Sequence, residues 1–414
     1  MGNLAINGGT ALRQEPWPAW PPYTEREREL LLTVLESHNW GGYPSPNFQA
    51  RRFAEEFAKY HGAKYGICAA NGTVTLEMAL RALGVEAGDE VIVPSNSWVA
   101  TAACAVYLNA VPVFVDLRPD NFTIDHTKIE AAITDKTKAI IPVHLGSSIA
   151  DMDAIMALAE KHNVFVIEDC AHMHGGKWRD RGVGSIGHIG SFSFQSSKLM
   201  TSGEGGICLT SDKTLEERLQ SLVNCGRKEP GYDEFPGRVF GWNYRISEFQ
   251  AAVLRAQLEK LDERTKLRAE NAAYLTDELA KIDGIGVVRP DERVTQPAHY
   301  QYIFTYDKSK FGGVHRDKFL EAAMHEGLNL DGDFYVPMYA NELFAAKSSE
   351  WPALRDRYGE GITKDSAESP VGWEFALETG VWMHYPMLMG TKKDVDDIVA
   401  IIKKIQDNIG ELAG

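Results

Sequence analysis

Residues 191–206 read SFSFQSSKLMTSGEGG, an alternating strand-like run followed by one lysine and a string of small residues. The alternation predicts a strand over SFSFQ, and the glycines and serines after Lys198 allow a tight turn before the next strand-like run, GGICLT. A lysine is ordinarily a solvated surface residue. Taken alone, this stretch leaves Lys198 either as such a residue or as a functional side chain on the loop after a strand.

Short apolar runs alternate with helical patterns on the N-terminal side of this stretch, from about residue 60 onward. EVIVPS, VPVFVDL, AIIPVHL and VFVIEDC are rich in Val and Ile, as parallel strands buried on both faces are. TLEMALRALG, WVATAACAVYLNA and MDAIMALAEKHN lie between them and carry apolar residues at helical spacing. The alternation predicts an α/β fold with a mostly parallel sheet, in which ligands bind beyond the carboxyl ends of the strands.

The second half of the chain has a different pattern. Residues 226–241 are dense in Gly, Pro and charge and predict a surface loop, and residues 248–282 predict one long helix. Strand and helix signals mix beyond about residue 285. We therefore predict a large α/β domain over residues 1–255 and a smaller α+β C-terminal domain over residues 256–414, with the long helix as the bridge.

Charge and cysteine content narrow the class of protein. The 414 residues carry 43 Lys and Arg against 58 Asp and Glu, a net charge of -15, which argues against nucleic-acid and anionic-membrane partners. The five cysteines are widely spaced, with no pairing typical of zinc sites, so we predict no metal centre. The N-terminal residues lack the apolar segment of a signal peptide, and we expect a cytoplasmic protein.

Two further stretches place polar residues at predicted strand ends. In AANGTVTLEMAL, Gly72 and Thr73 come just before a helix, whose free N–H groups hold either a phosphate or an ordinary side-chain cap. In VFVIEDCAHMHG, Asp169 ends a buried strand, where a carboxylate needs a cationic partner. His172 follows on the loop and is either part of the same pocket or a hydrogen-bonded core histidine.

The hexapeptide GVGSIG at residues 182–187 matches the dinucleotide-binding fingerprint letter for letter. That motif requires a strand before it and a helix after it. Here WRDR precedes the hexapeptide and the strand-like HIGSFSFQ follows it. We therefore reject dinucleotide binding at this position.

A phosphate-holding helix start, a buried aspartate and a loop lysine form a set that suits pyridoxal 5'-phosphate. In that chemistry the lysine forms a Schiff base, the aspartate pairs with the pyridinium nitrogen and the helix end takes the phosphate. The set predicts a pyridoxal-phosphate site that includes Lys198, Asp169 and the Gly72–Thr73 turn.

Three motifs, EDCAHMHG, SFSFQSSKLMTSGEGG and GWNYRISEFQAAVL, resemble in order and spacing the DegT/DnrJ/StrS family of sugar and cyclitol aminotransferases. The resemblance runs from WPAWPPYTE near the start to the closing helix. Within the family, FSFQSSKLMTSGEGG is similar to 3-amino-5-hydroxybenzoate synthase and the glutamine:scyllo-inosose aminotransferases. The resemblance implies the fold type I, aspartate aminotransferase-like architecture and a homodimer.

The resemblance also implies roles for individual residues. Lys198 matches the Schiff-base lysine, Asp169 the partner of the pyridine nitrogen, and Trp98 the ring that stacks on the cofactor. Asn243, which spacing alone would make a turn residue, matches a phosphate ligand supplied by the partner subunit. His172 stands where many of the sugar enzymes carry Gln, and we expect it in the catalytic site. The phosphate cradle matches Gly72, Thr73 and Ser193.

These expectations add up to an aminotransferase that moves an amino group from glutamine or glutamate to a keto-cyclitol or keto-sugar. One alternative is a dehydratase/aminotransferase of the 3-amino-5-hydroxybenzoate synthase kind. Another is a sugar dehydratase of the same fold, in which histidine replaces the lysine, and Lys198 argues against it. A rival of another class is a non-catalytic regulator, which the intact set of site residues argues against.

Four residues are candidates for the acceptor pocket, although core packing explains each of them equally well: Trp40, Tyr300, Tyr335 and His384. Aromatic rings and polar tips without an evident arginine clamp suit a neutral polyol better than a nucleotide-linked sugar, whose diphosphate requires positive charge. The expected partners are thus a small-molecule donor, a keto acceptor and a second copy of the chain.

Overall fold

A seven-stranded sheet organises the larger part of the chain in this computed structural model, which describes residues 2–345 and 350–412. The strands of the described residues, which form this sheet and two smaller ones, are β1 (Tyr65–Ala69), β2 (Glu90–Pro94), β3 (Val111–Val115), β4 (Thr137–Ile140), β5 (Phe165–Asp169), β6 (Lys177–Trp178), β7 (Arg181–Gly182), β8 (Ile189–Ser193), β9 (Gly206–Thr210), β10 (Ile285–Val287), β11 (Val294–Gln296), β12 (Gln301–Tyr306) and β13 (Gly380–His384). The α-helices are α1 (Glu25–Glu36), α2 (Phe48–His61), α3 (Gly72–Ala82), α4 (Ala100–Val106), α5 (His126–Ala132), α6 (Met152–His162), α7 (Lys213–Val223), α8 (Glu248–Glu259), α9 (Leu261–Leu279), α10 (Arg316–His325), α11 (Pro352–Tyr358), α12 (Pro370–Glu374) and α13 (Lys392–Asp407).

The seven strands follow the order β1-β9-β8-β5-β4-β2-β3. Neighbours from β8 to β3 pair in parallel, while β9 runs antiparallel to both β1 and β8. Strands β2, β3, β8 and β9 are buried along their whole length, as their apolar runs indicate. The prediction of a mostly parallel α/β sheet is confirmed. Because β1, β2, β5 and β8 point the same way, the loops that follow them meet at one edge of the sheet.

The long predicted helix is two helices. Its start is confirmed, since Ser247 caps α8 and forms a capping box with Gln250. The expectation of one continuous helix over residues 248–282 is wrong, because Lys260, at φ -108° and ψ 0°, separates α8 from α9. Helix α8 buries its alanines against α1 and α2, whereas α9 buries Leu275 and Leu279 in a second core. The break lets each half turn its apolar face to a different core.

The second core lies around the antiparallel sheet β10-β12-β13, which α9, α10 and α13 cover. Phe304, Phe319 and Ile398 are fully buried there, and Leu4 from the N-terminal segment packs among them. The mixed α+β pattern predicted beyond residue 285 is therefore present. The domain boundary at 255/256 stays a prediction, and it falls inside α8. No helix in the described ranges is both long enough and apolar enough to cross a bilayer.

Candidate active site

A cavity of about 680 Å³ opens where the loops after β1, β2, β5 and β8 meet. Most of the residues that the sequence singles out line this one space, although they come from distant parts of the chain. They are Gly72, Thr73, Trp98, Asp169, His172, Ser193, Lys198, Tyr300 and Tyr335. The parallel sheet explains the convergence, because strand ends that share a direction share an edge.

Lys198 lies on the loop after β8 and is half-buried against the cavity. Its N–H donates to the carbonyl of Gln195 at 2.9 Å, and its own carbonyl accepts from the Tyr385 hydroxyl at 3.1 Å. The Nζ atom lies 4.4 Å from the centre of the Tyr300 ring. Burial lowers the pKa of Lys198 to about 8, and the charge of Asp169 opposes that shift. These surroundings are those of a cavity-lining amine, not of a solvated surface lysine.

Asp169 is buried at the end of β5 and presents its carboxylate to the same cavity. Its Oδ2 accepts from Thr101 Oγ1 at 2.9 Å, and its Oδ1 accepts from the Ala171 N–H at 3.2 Å. Burial raises the pKa of Asp169, while these two donors and the charge of Lys198 lower it. The balance leaves a carboxylate that a cationic N–H donor in the cavity would stabilise in its charged form.

The start of α3 forms a narrow cradle against Ser193. A Cβ on Gly72 would lie 2.5 Å from the Ser193 Cβ, so glycine alone allows the helix start to come this close. Asn71 Oδ1 accepts the Val74 N–H at 3.0 Å and caps the helix. Within the described ranges, the N–H groups of Gly72 and Thr73 have no protein acceptor. The cap thus uses one N–H group of this helix end and leaves the N–H groups of Gly72 and Thr73 available to an anion.

His172 is buried beside the cavity between two tyrosines. Its Nδ1 accepts the Gly146 N–H at 3.3 Å, and its Nε2 lies 3.2 Å from the Tyr335 hydroxyl. Its ring stacks on Tyr300 with centres 4.1 Å apart. Burial lowers the pKa of His172 well below its ordinary value, and the nearby charge of Lys198 acts in the same direction. His172 is therefore a neutral, cavity-lining histidine.

Three predicted site residues lie outside the cavity lining of this chain. Trp40 is 53% exposed, and its ring packs near Phe249. Asn243 is exposed and bridges to Asn224 through the backbone. His384 lines an adjoining cavity of about 770 Å³, where burial lowers its pKa to about 4. The binding roles of Trp40, Asn243 and His384 stay predictions.

The loop over residues 182–187 holds a carboxylate of the chain itself. Strand β8 follows it, where a dinucleotide-binding motif requires a helix. The N–H groups of Gly184, Ile186 and Gly187 instead donate to the carboxylate of Glu168 at 2.9, 2.7 and 2.7 Å. The glycine-rich stretch therefore has a structural role.

Several residues that line the cavity or hold its side chains escaped the sequence analysis. The Thr101 hydroxyl that holds Asp169 stands in the alanine-rich run ATAACAV, where a lone hydroxyl was the available signal. Ser197 bonds the Tyr300 hydroxyl at 2.9 Å and adjoins Lys198 in the chain. Three other polar or aromatic lining residues carried no local signal that separates them from ordinary loop residues: Gln195, Glu204 and Phe334.

Comparison with known families agrees with this geometry. The model of the DegT/DnrJ/EryC1/StrS aminotransferase family matches residues 22–370. The chain belongs to this family. The family match and the aminotransferase names of the relatives make this chain an aminotransferase, and the cavity around Lys198 lies where the α/β fold places ligands.

Relatives and solved structures extend over nearly the whole chain. A Micromonospora echinospora protein provisionally named L-glutamine:3-amino-2,3-dideoxy-scyllo-inosose aminotransferase is 49% identical over 99% of this chain and 98% of its own. The L-glutamine:2-deoxy-scyllo-inosose aminotransferase of the same organism is 39% identical over all of both chains. The crystal structure of 3-amino-5-hydroxybenzoic acid synthase has a TM-score of 0.80 and 31% identity, covering 97% of this chain and 100% of its own. These matches confirm the predicted fold type.

Proposed function

We propose that this protein is a pyridoxal-phosphate-dependent aminotransferase that passes the amino group of glutamine to a keto-cyclitol. One observation carries the proposal: a single cavity brings together the amine of Lys198, the carboxylate of Asp169 and the unpaired N–H groups at the start of α3. The inosose aminotransferases, 37–49% identical over at least 97% of this chain, support glutamine as the donor and a keto-cyclitol as the acceptor.

The cavity fits pyridoxal 5'-phosphate in each of its polar parts. The Gly72–Thr73 turn and Ser193 would hold the phosphate, since Gly72 leaves room where a Cβ would collide. Asp169 would pair with the ring nitrogen, and Trp98, exposed at the cavity, would cover one ring face. When bound, the cofactor supplies the electron sink and carries the amino group between the two substrates.

Lys198 and Asp169 divide the proton chemistry. Burial lowers the pKa of Lys198 to about 8, which favours the neutral amine, and Nζ would take a proton from the substrate carbon and return it. Asp169 favours a proton on the facing ring nitrogen, because opposite charges about 4 Å apart attract by roughly 4 kcal/mol at an effective dielectric near 20. Its buried position keeps water from screening that attraction.

A second candidate is the 3-amino-5-hydroxybenzoate synthase reaction, which the solved neighbour favours. Overall identity favours the inosose reaction, since the synthase is 31% identical and three inosose relatives are 47–49% identical. A half-reaction screen separates the candidates. Enzyme aminated with glutamine is mixed with a keto-cyclitol, a nucleotide-linked keto-sugar and a keto precursor of aminohydroxybenzoate, and reoxidation is followed by absorbance. We expect the keto-cyclitol to react fastest, and a faster nucleotide-linked sugar would refute the acceptor class alone.

We also propose a cytoplasmic homodimer with shared active sites. Asn243 is exposed in the single chain, and it stands beside exposed aromatic rings, with Phe240 97% and Trp242 54% exposed. Such rings on one segment favour an interface with a second copy, through which Asn243 would reach the partner's phosphate cradle.

Mixed dimers test the shared site. Lys198→Ala and Asn243→Ala proteins are each weak, and together they form hybrids. If Asn243 serves the partner, each hybrid has one intact site and one doubly impaired site, so mixing restores activity. If Asn243 serves its own subunit, mixing restores nothing, and a fully active monomer would rule out the idea altogether.

A further inference from the structure

A short hydrogen-bonded relay fixes which proton His172 carries. The Gly146 N–H can only donate, so the Nδ1 atom that accepts it at 3.3 Å holds a lone pair. A neutral imidazole then carries its one proton on Nε2. The Nε2 atom lies 3.2 Å from the Tyr335 hydroxyl, so His172 donates and the Tyr335 oxygen accepts.

Tyr335 is thereby left with its own proton to give. Its hydroxyl has no other partner within the described part of the chain, and its side chain lines the cavity. Burial raises the pKa of Tyr335 well above its ordinary value, so the group stays protonated at working pH. The relay therefore leaves the Tyr335 side chain, which lines the cavity, with a hydroxyl proton that it can donate to a ligand.

The backbone holds the relay in place. Gly146 has φ +62°, and a Cβ there would lie 2.5 Å from Ile303 Cδ1, so the position is restricted to glycine. The Gly146 carbonyl accepts the Tyr300 N–H at 3.0 Å. The Tyr300 ring stacks on one face of His172. The Tyr335 ring lies parallel to the His172 ring, with the two ring centres 5.8 Å apart. Neither the imidazole nor the phenol can turn without breaking several of these contacts.

We propose that Tyr335 is a specificity-determining residue that donates a hydrogen bond to an oxygen of the acceptor, with His172 as the residue that positions it. The proposal rests on the assigned aminotransferase function and adds the group that recognises the polyol. Glutamine offers its amino group to the cofactor first and the keto-cyclitol follows, so a contact with the acceptor affects only the second half-reaction. A keto-cyclitol carries a carbonyl and several hydroxyl oxygens, each able to accept from Tyr335.

Tyr335→Phe tests the proposal, and Tyr302→Phe is its matched control. Tyr302 is also buried and bonded, to Thr276 Oγ1 at 2.8 Å, but it lies in the second core. In rapid-mixing experiments on holoenzyme, we expect Tyr335→Phe to slow reaction with 2-deoxy-scyllo-inosose or its 3-amino analogue by about tenfold to hundredfold. Reaction with glutamine should change less than about threefold. The control variant should alter neither step.

Acceptors that lack one hydroxyl complete the test as a double-mutant cycle. Removing the oxygen that Tyr335 recognises should slow the wild type as much as Tyr335→Phe does, and it should add nothing in the variant. Calorimetric binding of scyllo-inositol, which has no carbonyl to react, gives an independent readout and should weaken in Tyr335→Phe. Equal slowing of the glutamine step would overturn the proposal. Full additivity with every deoxy acceptor, together with unweakened binding of scyllo-inositol to Tyr335→Phe, would overturn it as well.

His172 variants separate positioning from packing. His172→Gln keeps an N–H donor at this place, and His172→Leu has none. The quantity to compare is the rate of reaction with the acceptor divided by the rate of reaction with glutamine. In His172→Gln we expect this ratio to stay near the wild-type value. In His172→Leu we expect it to fall as far as it does in Tyr335→Phe. An unchanged ratio in His172→Leu would contradict the relay. If the wild-type enzyme aminates no keto-cyclitol at all, the proposed function is wrong, and the role of Tyr335 in binding that acceptor is wrong with it.

Discussion

Glu168 and Asp169 are adjacent buried carboxylates on β5 whose surroundings differ in kind. The carboxylate of Glu168 accepts the three N–H groups of the glycine-rich loop over residues 182–187 and the Nε2 of His144 at 3.1 Å. Although burial works against it, these bonds lower the pKa of Glu168. His144 accepts the Ala150 N–H on its other nitrogen and is itself fixed.

Asp169 has fewer donors of its own. Thr101 and Ala171 supply one hydrogen bond each, burial raises the pKa of Asp169, and the carboxylate lines the cavity. Consecutive strand residues point to opposite faces, so one side chain enters the loop and its neighbour enters the ligand space. The comparison teaches that burial of a charge does not mark a functional site. What indicates a functional site is a buried charged group for which the chain supplies too few hydrogen-bond donors or opposite charges.

The largest expected difference between the two carboxylates is in activity. Asp169→Asn keeps the shape and removes the charge, so amino transfer should fall by about hundredfold or more. Glu168→Gln in folded protein should lose less than about tenfold, because Glu168 does not line the cavity. Steady-state turnover of both holoenzymes at matched cofactor occupancy measures this. Equal losses would erase the distinction between the two positions.

Stability should follow the opposite order. Glu168→Gln leaves buried N–H donors facing an amide, and its free energy of unfolding should fall by about 3 kcal/mol. Asp169→Asn removes a charge that burial disfavours, so the cofactor-free protein should change by less than about 1 kcal/mol. Denaturant titration of the cofactor-free proteins gives both values. A larger loss in Asp169→Asn would mean that Asp169 is the structural member of the pair.

A smaller, pH-dependent effect should distinguish the site lysine. The pKa of Lys198 in the folded protein is about 8 against an ordinary 10.5, so between these pH values the unfolded chain binds more protons. Stability of the cofactor-free wild type should therefore rise from pH 8 to pH 10.5 by about 1–2 kcal/mol relative to Lys198→Met, once partial exposure is discounted. Exposed Lys403→Met is the control and should follow the wild type. A fall in relative stability over this window would contradict the burial of the amine.

Local pattern was enough to predict the parts of this site that depend on local chemistry. The Val- and Ile-rich runs predicted the parallel strands, and the order of strand, loop and helix placed Lys198, Asp169 and Gly72 at one edge. Each of these residues lies at the end of a strand or in the loop that follows it, so position in the chain determined position in space.

The sequence could not predict the roles of residues whose partners come from distant elements. The donor to Asp169 is Thr101 on α4, and the relay to Tyr335 begins at Gly146, contacts that depend on tertiary packing. The break at Lys260 also depends on tertiary packing, because the helices on its two sides pack into two separate cores. Trp40 and Asn243 lie outside the cavity in a single chain. Trp40 stays a candidate for the acceptor pocket, and the predicted role of Asn243 requires a second copy of the chain.

The most direct test of the central claim follows the amino nitrogen itself. Holoenzyme is incubated with glutamine labelled with ¹⁵N at the amino position and with 2-deoxy-scyllo-inosose, and the aminated cyclitol is analysed by mass spectrometry. We predict label in the product from wild type and from Lys403→Ala, and none above background from Lys198→Ala reconstituted with the same cofactor. Labelled product from Lys198→Ala at the wild-type rate would contradict the assignment of this cavity as the active site.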